Sequence, residues 1–198
     1  MIMENFLPED FRKLVLRRQS DRGYLDTPVD RNFIERIIET ARLAPSACNA
    51  QPWKFIVVDD PALRDRIAGT TTLPLSGMNK FVKEAPVLVV ITMEAANITS
   101  ALGSKIKRKH FPLMDIGIAA GHICLAATAE GLGSCMVGWF DEHRVRRFLS
   151  IPDHSRPVLI ITLGYAKSDH TRNKQRKPLD QKLCYNNYLQ KESLADSD

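Results

Sequence analysis

The sequence predicts a single domain that mixes α-helices and β-strands around one core. Residues 86–93 are continuously apolar and rich in β-branched side chains, as in a strand buried on both faces. Residues 158–163 predict a second strong strand, and residues 113–130 are apolar nearly all round, which is typical of a buried helix. The 198 residues, 44% hydrophobic and 26% charged, suit one domain, residues 1–198, with a sizeable core.

The first half of the chain carries clear local signals. Residues 8–19 predict a helix with an apolar face of Phe11, Leu14 and Val15. Asp30 is the predicted N-cap of a second helix, whose apolar face is formed by Phe33, Ile34, Ile37, Ile38, Ala41 and Ala44. Residues 55–58 predict a buried strand, and residues 61–67 predict a short helix that opens on a proline.

The second half is less regular. Residues 69–79 are predicted to be irregular, and residues 94–111 begin as a helix and continue into a basic run at 105–110. Residues 134–140 predict a short strand with Gly138 inside it, a position where glycine often marks close approach of a ligand. Residues 142–149 predict the last helix.

Helix 113–130 has a strip of small residues, Gly117, Gly121 and Cys124, that would let another helix approach closely. In a chain of this length we expect that approach at a subunit interface. The polar, basic residues 165–198 are expected to form an extended tail that wraps over a neighbour.

Charge and composition limit the classes of possible binding partners. The formal charge of +5 favours anionic small molecules, phosphates or nucleic acid. Nucleic acid is disfavoured because the basic run 105–110 has no interleaved aromatic residues and no recognised motif around it. We expect no membrane span, since no apolar run approaches the required length, and no signal core in the first ten residues. The four cysteines show no paired spacing, which indicates free thiols in a reducing cytoplasm.

Several kinds of chemistry lack their motifs. The pair Gly131 and Gly133 is followed by Met136 where a dinucleotide fingerprint needs a third glycine. There is no phosphate-binding loop ending in Lys-Ser or Lys-Thr, no Gly-x-Ser-x-Gly and no metal-ligand spacing. His122 is interpreted as a core or interface residue, and Cys48 as an unreactive thiol because no cationic activator is visible beside it.

Scattered polar and cationic residues remain, and together they suit a phosphorylated cofactor. Such a cofactor needs Arg or Lys for its charge, hydroxyl or amide donors for its edges, and close backbone approach at its reactive centre. One cluster is the segment 45–53, where two prolines prevent a helix and Ser46, Asn49 and Gln51 stand beside Trp53. The others are Arg18, Ser20, Arg22, Asn79, Lys83, Lys174 and Arg176.

Four stretches, in this order, carry a family resemblance. Residues 18–24 (RQSDRGY) resemble an Arg-Arg-Ser-x-Arg-x-Phe signature, and residues 44–53 (APSACNAQPW) resemble a Pro-Ser-x-x-Asn-x-Gln-Pro-Trp signature. Residues 115–134 resemble a central helix with a Gly-Leu-Gly exit, and residues 163–165 together with 174–179 resemble a closing strand and basic tail. On these stretches the chain resembles the FMN-dependent nitroreductase family over nearly its whole length.

The resemblance implies an α+β fold with a central mixed sheet flanked by helices. It also implies an intertwined homodimer, a tail that embraces the partner, and FMN at the subunit interface. The cofactor-binding residues that it implies are Arg18, Gln19, Ser20, Arg22, Pro45, Ser46, Ala47, Asn49, Gln51, Asn79, Lys83, Met136, Val137, Gly138, Trp139, Lys174 and Arg176.

The resemblance also assigns roles to these residues. Arg18, Ser20, Lys174 and Arg176 would hold the phosphate and ribityl chain, whereas Arg22 and Lys83 would face the pyrimidine edge of the flavin. The segment 45–49 would come from the partner subunit, and the backbone at 136–139 would lie along the ring. Lys80 is the alternative to Lys83 for the role at the pyrimidine edge.

The implied reaction is electron transfer from NAD(P)H through FMN to nitroaromatic, quinone or similar electron-poor acceptors, by a ping-pong mechanism. The chemistry takes place on FMN, so no side chain is assigned as a catalytic acid or base and no metal is expected. Phe111, in the segment 94–112, would form a wall over the flavin. The alternatives are a reductive dehalogenase or flavin-consuming enzyme of the same fold, and a flavin-binding protein without turnover.

Two departures from the family pattern concern the site directly. Gln19 replaces a basic residue of the opening signature, which leaves one charge fewer near the phosphate. Gly138 and Trp139 replace a Glu-Gly pair, which removes a carboxylate and adds a bulky ring over the flavin.

Overall fold

The computed structural model describes residues 7–72, 77–94 and 110–188. Its helices are α1 (Pro8–Arg17), α2 (Arg31–Arg42), α3 (Pro61–Ala68), α4 (Phe111–Ala129) and α5 (Glu142–Phe148). Its strands are β1 (Trp53–Val58), β2 (Val87–Met93), β3 (Gly133–Val137) and β4 (Arg156–Gly164). Short 3₁₀ turns cover Ala47–Asn49, Lys80–Glu84 and Leu179–Gln181.

The helix starts follow the local chemistry of the sequence. Asp30 accepts a hydrogen bond from the amide of Asn32 at 2.8 Å, which confirms it as the N-cap of α2. Asp60 caps α3 in the same way, by accepting from the amide of Leu63 at 2.8 Å. The prediction for α1 was too long, because the backbone of Arg18 is already extended (φ −57°, ψ 124°).

The four strands lie in the order β1-β2-β4-β3, and every neighbouring pair is antiparallel. The implied mixed sheet is therefore wrong for these strands. The reason is topological: β2 and β3 run in the same direction with α4 between them in sequence, but β4 lies between them in the sheet. Parallel pairing within the described ranges occurs at an isolated bridge, between Ser20, which lies outside the four strands, and Ser134 of β3.

The sheet is covered by helices on both faces, which makes the fold α+β. Val89 and Ile91 of β2 pack in one cluster with residues of α2 and α4. Leu88 and Val90, which point to the other face, pack with Ile67 of α3 and with a residue of α5. The prediction that β2 is buried on both faces is confirmed.

Helix α4 has two apolar faces. One faces the core and includes Ile116, Ala120 and Ile123. The other is exposed and includes Met114 (59% exposed) and Ile118 (42% exposed). Cys124 belongs to the core side, with 3% exposure, so its assignment to the small strip was wrong. Gly117 and Gly121 do lie on the open side, where an added Cβ would meet no atom within 4 Å.

The length of α4 also corrects the expectation that no apolar run approaches a membrane span. It has 19 residues and a mean hydropathy of 1.4, so length and composition alone would allow it to cross a bilayer. In this fold it is a core helix between α2 and the sheet.

The structure also shortens the predicted strand 134–140. Pairing with β4 ends at Val137, opposite Ile160, so Gly138 lies just beyond the strand rather than inside it. Most of the predicted helix and basic run at 94–111 lies outside the described residues. The described part of the tail has no helix or strand beyond one 3₁₀ turn.

Gly164, at the end of β4, is required by close packing. An added Cβ would lie 2.5 Å from Cδ of Pro86 and 3.1 Å from a ring carbon of Tyr24. We expect Gly164→Ala to lower the free energy of unfolding by about 1–3 kcal/mol, because overpacking forces the core apart. Gly23→Ala is the matched control, since its Cβ would make ordinary contacts at 3.6 Å. Urea unfolding of the two variants measures this difference. Equal losses of unfolding free energy in both variants would contradict the explanation by close packing.

Candidate functional site

The first wall of the site is the arm, residues 18–25, which follows α1 and runs beside β3. Ser20 pairs with Ser134 in the parallel bridge, and the amide of Asp21 donates to the carbonyl of Ser134 at 2.9 Å. Gly133 permits this approach, because a Cβ there would lie 2.8 Å from Oδ2 of Asp21. Burial raises the pKa of Asp21, against the lowering effects of its hydrogen bonds and of nearby arginines.

Tyr24 anchors the other end of the arm. Its side chain is buried, its hydroxyl donates to the carbonyl of Asp21 at 2.9 Å, and the same hydroxyl lies 2.6 Å from Oγ1 of Thr162. Burial raises the pKa of Tyr24, so the phenol remains protonated. The arm is therefore held to both β3 and β4.

The second wall comes from the tail segment, residues 170–176, which lies about 150 positions away in sequence. Arm and tail segment together line a cavity of about 340 Å³ that we call the cation pocket. Five of its lining residues are basic and none is acidic; the basic residues are Arg18, Arg22, Arg172, Lys174 and Arg176. Ser20 and Gln19 also line it.

Lys174 joins the two walls. Its ammonium group donates to the carbonyls of Leu16 and Arg18, at 2.5 and 2.6 Å. The pKa of Lys174 is lowered, first by desolvation and then by the positive charges of Arg18, Arg176 and Arg172. Positive charges this close together repel one another, and a bound anion would offset that repulsion. A phosphate group matches both the charge and the geometry of several guanidinium donors.

A second cavity of about 330 Å³ lies on the other side of Gln19 and has a different character. Its lining includes Asp21 and Asp169 with Arg17 as a cation. The two carboxylates make it a poor place for an anion. The cation pocket is therefore the better candidate for a phosphate site.

The proline-bounded loop 45–52 has a strained backbone. Cys48, Asn49 and Gln51 have positive φ values of 52°, 51° and 47°, and none of them is glycine. The loop is held by Asp115 of α4, which accepts from the amide of Ala47 at 3.2 Å, and by Ser46, which accepts from the amide of Gln51 at 2.9 Å. Strained non-glycine residues that are fixed in this way are typical of functional sites.

The loop and the cation pocket are separate within one chain. None of the predicted loop residues Pro45, Ser46, Ala47, Asn49 and Gln51 lines the pocket. The amide of the Gln51 side chain instead donates to the carbonyl and side-chain oxygens of Asn49, at 3.3 and 3.2 Å.

The end of β3 is open. Val137 is buried, whereas Met136 and Trp139 are 43% and 60% exposed. A Cβ added to Gly138 would meet no atom within 4 Å. The backbone after β3 is thus accessible to a flat ligand, and a large aromatic ring stands beside it.

The remaining predicted residues lie at the margins. Asn79 has φ 60° and donates from its side chain to the carbonyl of Thr71 at 3.1 Å. Lys83 is exposed on the following 3₁₀ turn, and Lys80 folds toward Gly77. Phe111 is half-buried in the first turn of α4.

The structure therefore brings together Arg18, Gln19, Ser20, Arg22, Lys174 and Arg176, and places β3 beside them. It adds Arg172, which the sequence reasoning did not include among the site residues. The available signal was the spacing of two between Arg172, Lys174 and Arg176.

Comparisons with known proteins identify the family of this chain. The nitroreductase family model matches residues 15–72 and 74–165. The chain is 34% identical over 169 residues to a putative NADH dehydrogenase/NAD(P)H nitroreductase of Methanothermobacter thermautotrophicus, covering 83% of this chain and 82% of that protein. It is 25% identical over 196 residues to human iodotyrosine deiodinase 1, covering 87% of this chain and 67% of that protein.

Solved structures agree. A nitroreductase family protein of Clostridium novyi has a TM-score of 0.69 and 31% identity, covering 82% of this chain and 88% of that one. An FMN-dependent nitroreductase of Clostridium difficile has a TM-score of 0.70 and 27% identity, covering 88% of this chain and 98% of that one. The chain belongs to the nitroreductase family, and it is an enzyme of the flavin-dependent oxidoreductase class.

Proposed function

We propose that the protein is an FMN-dependent oxidoreductase that takes electrons from NAD(P)H and passes them to nitroaromatic, quinone or similar electron-poor acceptors. The observation that carries the proposal is the cation pocket, with five basic side chains and no carboxylate in its lining. This donor set fits the phosphate of FMN. Arg18, Ser20, Lys174 and Arg176 would hold that phosphate and the ribityl chain.

The position of β3 supports an assignment for the ring of the flavin. The arm lies beside Ser134, and the open backbone begins at Gly138, about 13 Å further along at about 3.3 Å per residue. The phosphate, the ribityl chain and the flavin ring of an extended FMN molecule can together span such a distance. Residues 136–139 would then lie along the ring, and an amide near Gly138 would donate to it.

Positive charge at the pyrimidine edge would favour reduction. Arg22 lines the cation pocket on the β3 side, where its charge acts to lower the pKa of Cys135, which burial raises overall. The carboxylate beside Lys83, Glu84, is paired with Lys167 at 2.9 Å, so it does not neutralise Lys83. Arg22 and Lys83 would therefore stabilise the negative charge that a reduced flavin carries, with Asn79 nearby.

An exposed apolar face supports the proposal that a second copy of the chain binds here. Helix α1 has no buried residue, and its Phe11 is 50% exposed. It packs beside α4, whose Met114 and Ile118 are also exposed and whose Gly117 and Gly121 leave open space. A contiguous apolar face of this kind marks an interaction surface. We propose an intertwined homodimer with α4 at its centre.

The dimer would complete the site. The loop 45–52 is held by hydrogen bonds, exposes Asn49 and Gln51, and does not line the cation pocket of its own chain. Pro45, Ser46, Ala47, Asn49 and Gln51 would reach the flavin of the partner subunit, and the tail would embrace that subunit. The exposed Leu179, Tyr185 and Tyr188 would then be covered.

FMN, when bound, would supply the redox chemistry, which is the transfer of electrons from NAD(P)H to the acceptor in a ping-pong cycle. The side chains described here would bind, orient and stabilise charge, so none is assigned as an acid or base. Phe111 would form part of the wall over the acceptor site. All four cysteines are free thiols, which supports a cytoplasmic location.

We expect the purified protein to be yellow and to release FMN on denaturation. Stopped-flow mixing with NADH and with NADPH should bleach the flavin with at least one of them, and a nitroaromatic or quinone should restore its colour. Initial rates at varied donor and acceptor should give parallel double-reciprocal lines. A colourless protein that takes up no added FMN, or a flavin that neither nucleotide reduces, would overturn the proposal.

A reductive dehalogenase is the second candidate, and the match to human iodotyrosine deiodinase 1 is the observation that favours it. The two functions are separated by product analysis with the same reduced enzyme. Halide release from an iodinated phenol, without turnover of nitroaromatics or quinones, would favour the second candidate.

A further inference from the structure

Gln19 connects the arm to the tail segment through both ends of its side-chain amide. Its oxygen accepts from the backbone amide of Arg172 at 3.0 Å and from Nε of the same residue at 3.3 Å. Its nitrogen donates to Oδ1 of Asp21 at 3.0 Å and to the carbonyl of His170 at 3.1 Å. An amide side chain has two donors and two acceptor positions, so all four are used.

This satisfaction limits what Gln19 can do for a ligand. Although it lines the cation pocket, no donor or acceptor of its amide remains for a bound anion. Asp21 fixes the orientation of the amide, because a carboxylate accepts only from the nitrogen end. The oxygen must then face Arg172.

Arg172 is held at the same point by a second contact. One terminal nitrogen of its guanidinium donates to the carbonyl of Ser20. The guanidinium has five N–H donors, and the contacts to Gln19 and Ser20 use two of them. Since Arg172 also lines the cation pocket, the remaining donors are available to an anion there.

We propose that Arg172 is a further ligand of the cofactor phosphate, and that Gln19 is a positioning residue that holds Arg172 in place. The inference rests on the proposed function, because it takes the phosphate to be that of FMN. Arg172, from the tail, would then supply a positive charge beside Gln19, an arm residue that carries no charge of its own. This arrangement also gives Gln19 an indirect role in cofactor binding.

The test compares FMN with riboflavin, which has the same ring and ribityl chain but no phosphate. Wild-type holoprotein and variants are dialysed to equilibrium against each flavin, and bound flavin is measured by absorbance. We expect Arg172→Ala to weaken FMN binding about tenfold or more, as for the loss of a charge-assisted hydrogen bond, and to leave riboflavin binding unchanged. Arg172→Lys should recover part of the loss.

Two further variants separate positioning from contact. Gln19→Met keeps the side-chain length and removes the four hydrogen bonds, so FMN affinity should fall severalfold and riboflavin affinity should not. In the double variant with Arg172→Ala, FMN binding should be no weaker than in Arg172→Ala alone, because the two residues act as one unit. Lys177→Ala, which removes a tail charge outside the pocket lining, is the matched control and should change neither affinity.

The outcomes are distinct. An unchanged ratio of FMN to riboflavin affinity in Arg172→Ala overturns the proposal, whether both affinities fall together or neither does. Additive losses for Gln19→Met and Arg172→Ala overturn the positioning role. If the wild-type protein binds neither flavin, the proposed function itself fails, and that result is seen before any variant is made.

Discussion

Ile118→Asp is expected to convert the protein to a monomer that no longer retains FMN. Ile118 stands on the exposed face of α4, with Gly117 beside it and Gly121 nearby. In the proposed homodimer this face is buried, and an unpaired carboxylate there would have to be desolvated without a partner. We expect the dissociation constant of the dimer to rise at least about a hundredfold, which corresponds to about 2.7 kcal/mol.

Sedimentation equilibrium gives the dissociation constant, and the absorbance of the same samples gives the flavin content. Val57→Asp is the matched control, because Val57 is a similarly exposed β-branched residue, 37% exposed on β1 and outside the proposed interface. A variant at Ile118 that remains dimeric would place the interface elsewhere. A folded monomer that keeps its FMN would contradict the role of loop 45–52 in the site of the partner subunit.

Removal of both Arg18 and Arg176 is expected to give the largest loss of cofactor within an intact dimer. Both residues line the cation pocket from opposite walls, the arm and the tail. Each charge-assisted contact to phosphate is worth about 1.5–3 kcal/mol, so the double alanine variant should lose about 3–6 kcal/mol of FMN binding free energy. That range corresponds to a fall in affinity of about a hundredfold to more than ten-thousandfold.

The measurement is FMN retained after gel filtration, followed by a titration in which bound flavin is read from its fluorescence. Arg31→Ala combined with Arg156→Ala removes the same total charge from the surface, where these arginines pair with Asp59 and Glu142. Exposed pairs of this kind contribute little, so that variant should keep its flavin. Equal loss in both double variants would show that net charge, rather than the cation pocket, retains FMN.

Local chemistry explains which elements could be predicted from the sequence. Asp30 and Pro61 mark helix starts because a side-chain acceptor and a fixed φ act within one turn. The continuously apolar, β-branched run of β2 and its flanking proline do the same for a strand. The cation pocket was predictable only in part, through the resemblance that linked Arg18 to Lys174.

The errors arose where distant segments decide the outcome. Helix α4 is apolar on nearly every side, so its sequence pattern does not tell which face meets the core, and Cys124 was placed on the wrong one. The position of β4 between β2 and β3 depends on how the whole chain is wound, and it removes the parallel neighbours of a mixed sheet. Arg172 looked like an ordinary surface charge because its partner, Gln19, lies 153 positions earlier.

The joining of arm and tail sets an order of events during synthesis. Arg18 and Arg22 emerge early from the ribosome, but Arg172, Lys174 and Arg176 are translated after the strands and helices of the core that the structure describes. Capture of a phosphate in the cation pocket therefore requires the tail segment to dock on the arm, which brings together charges from the two ends of the described fold.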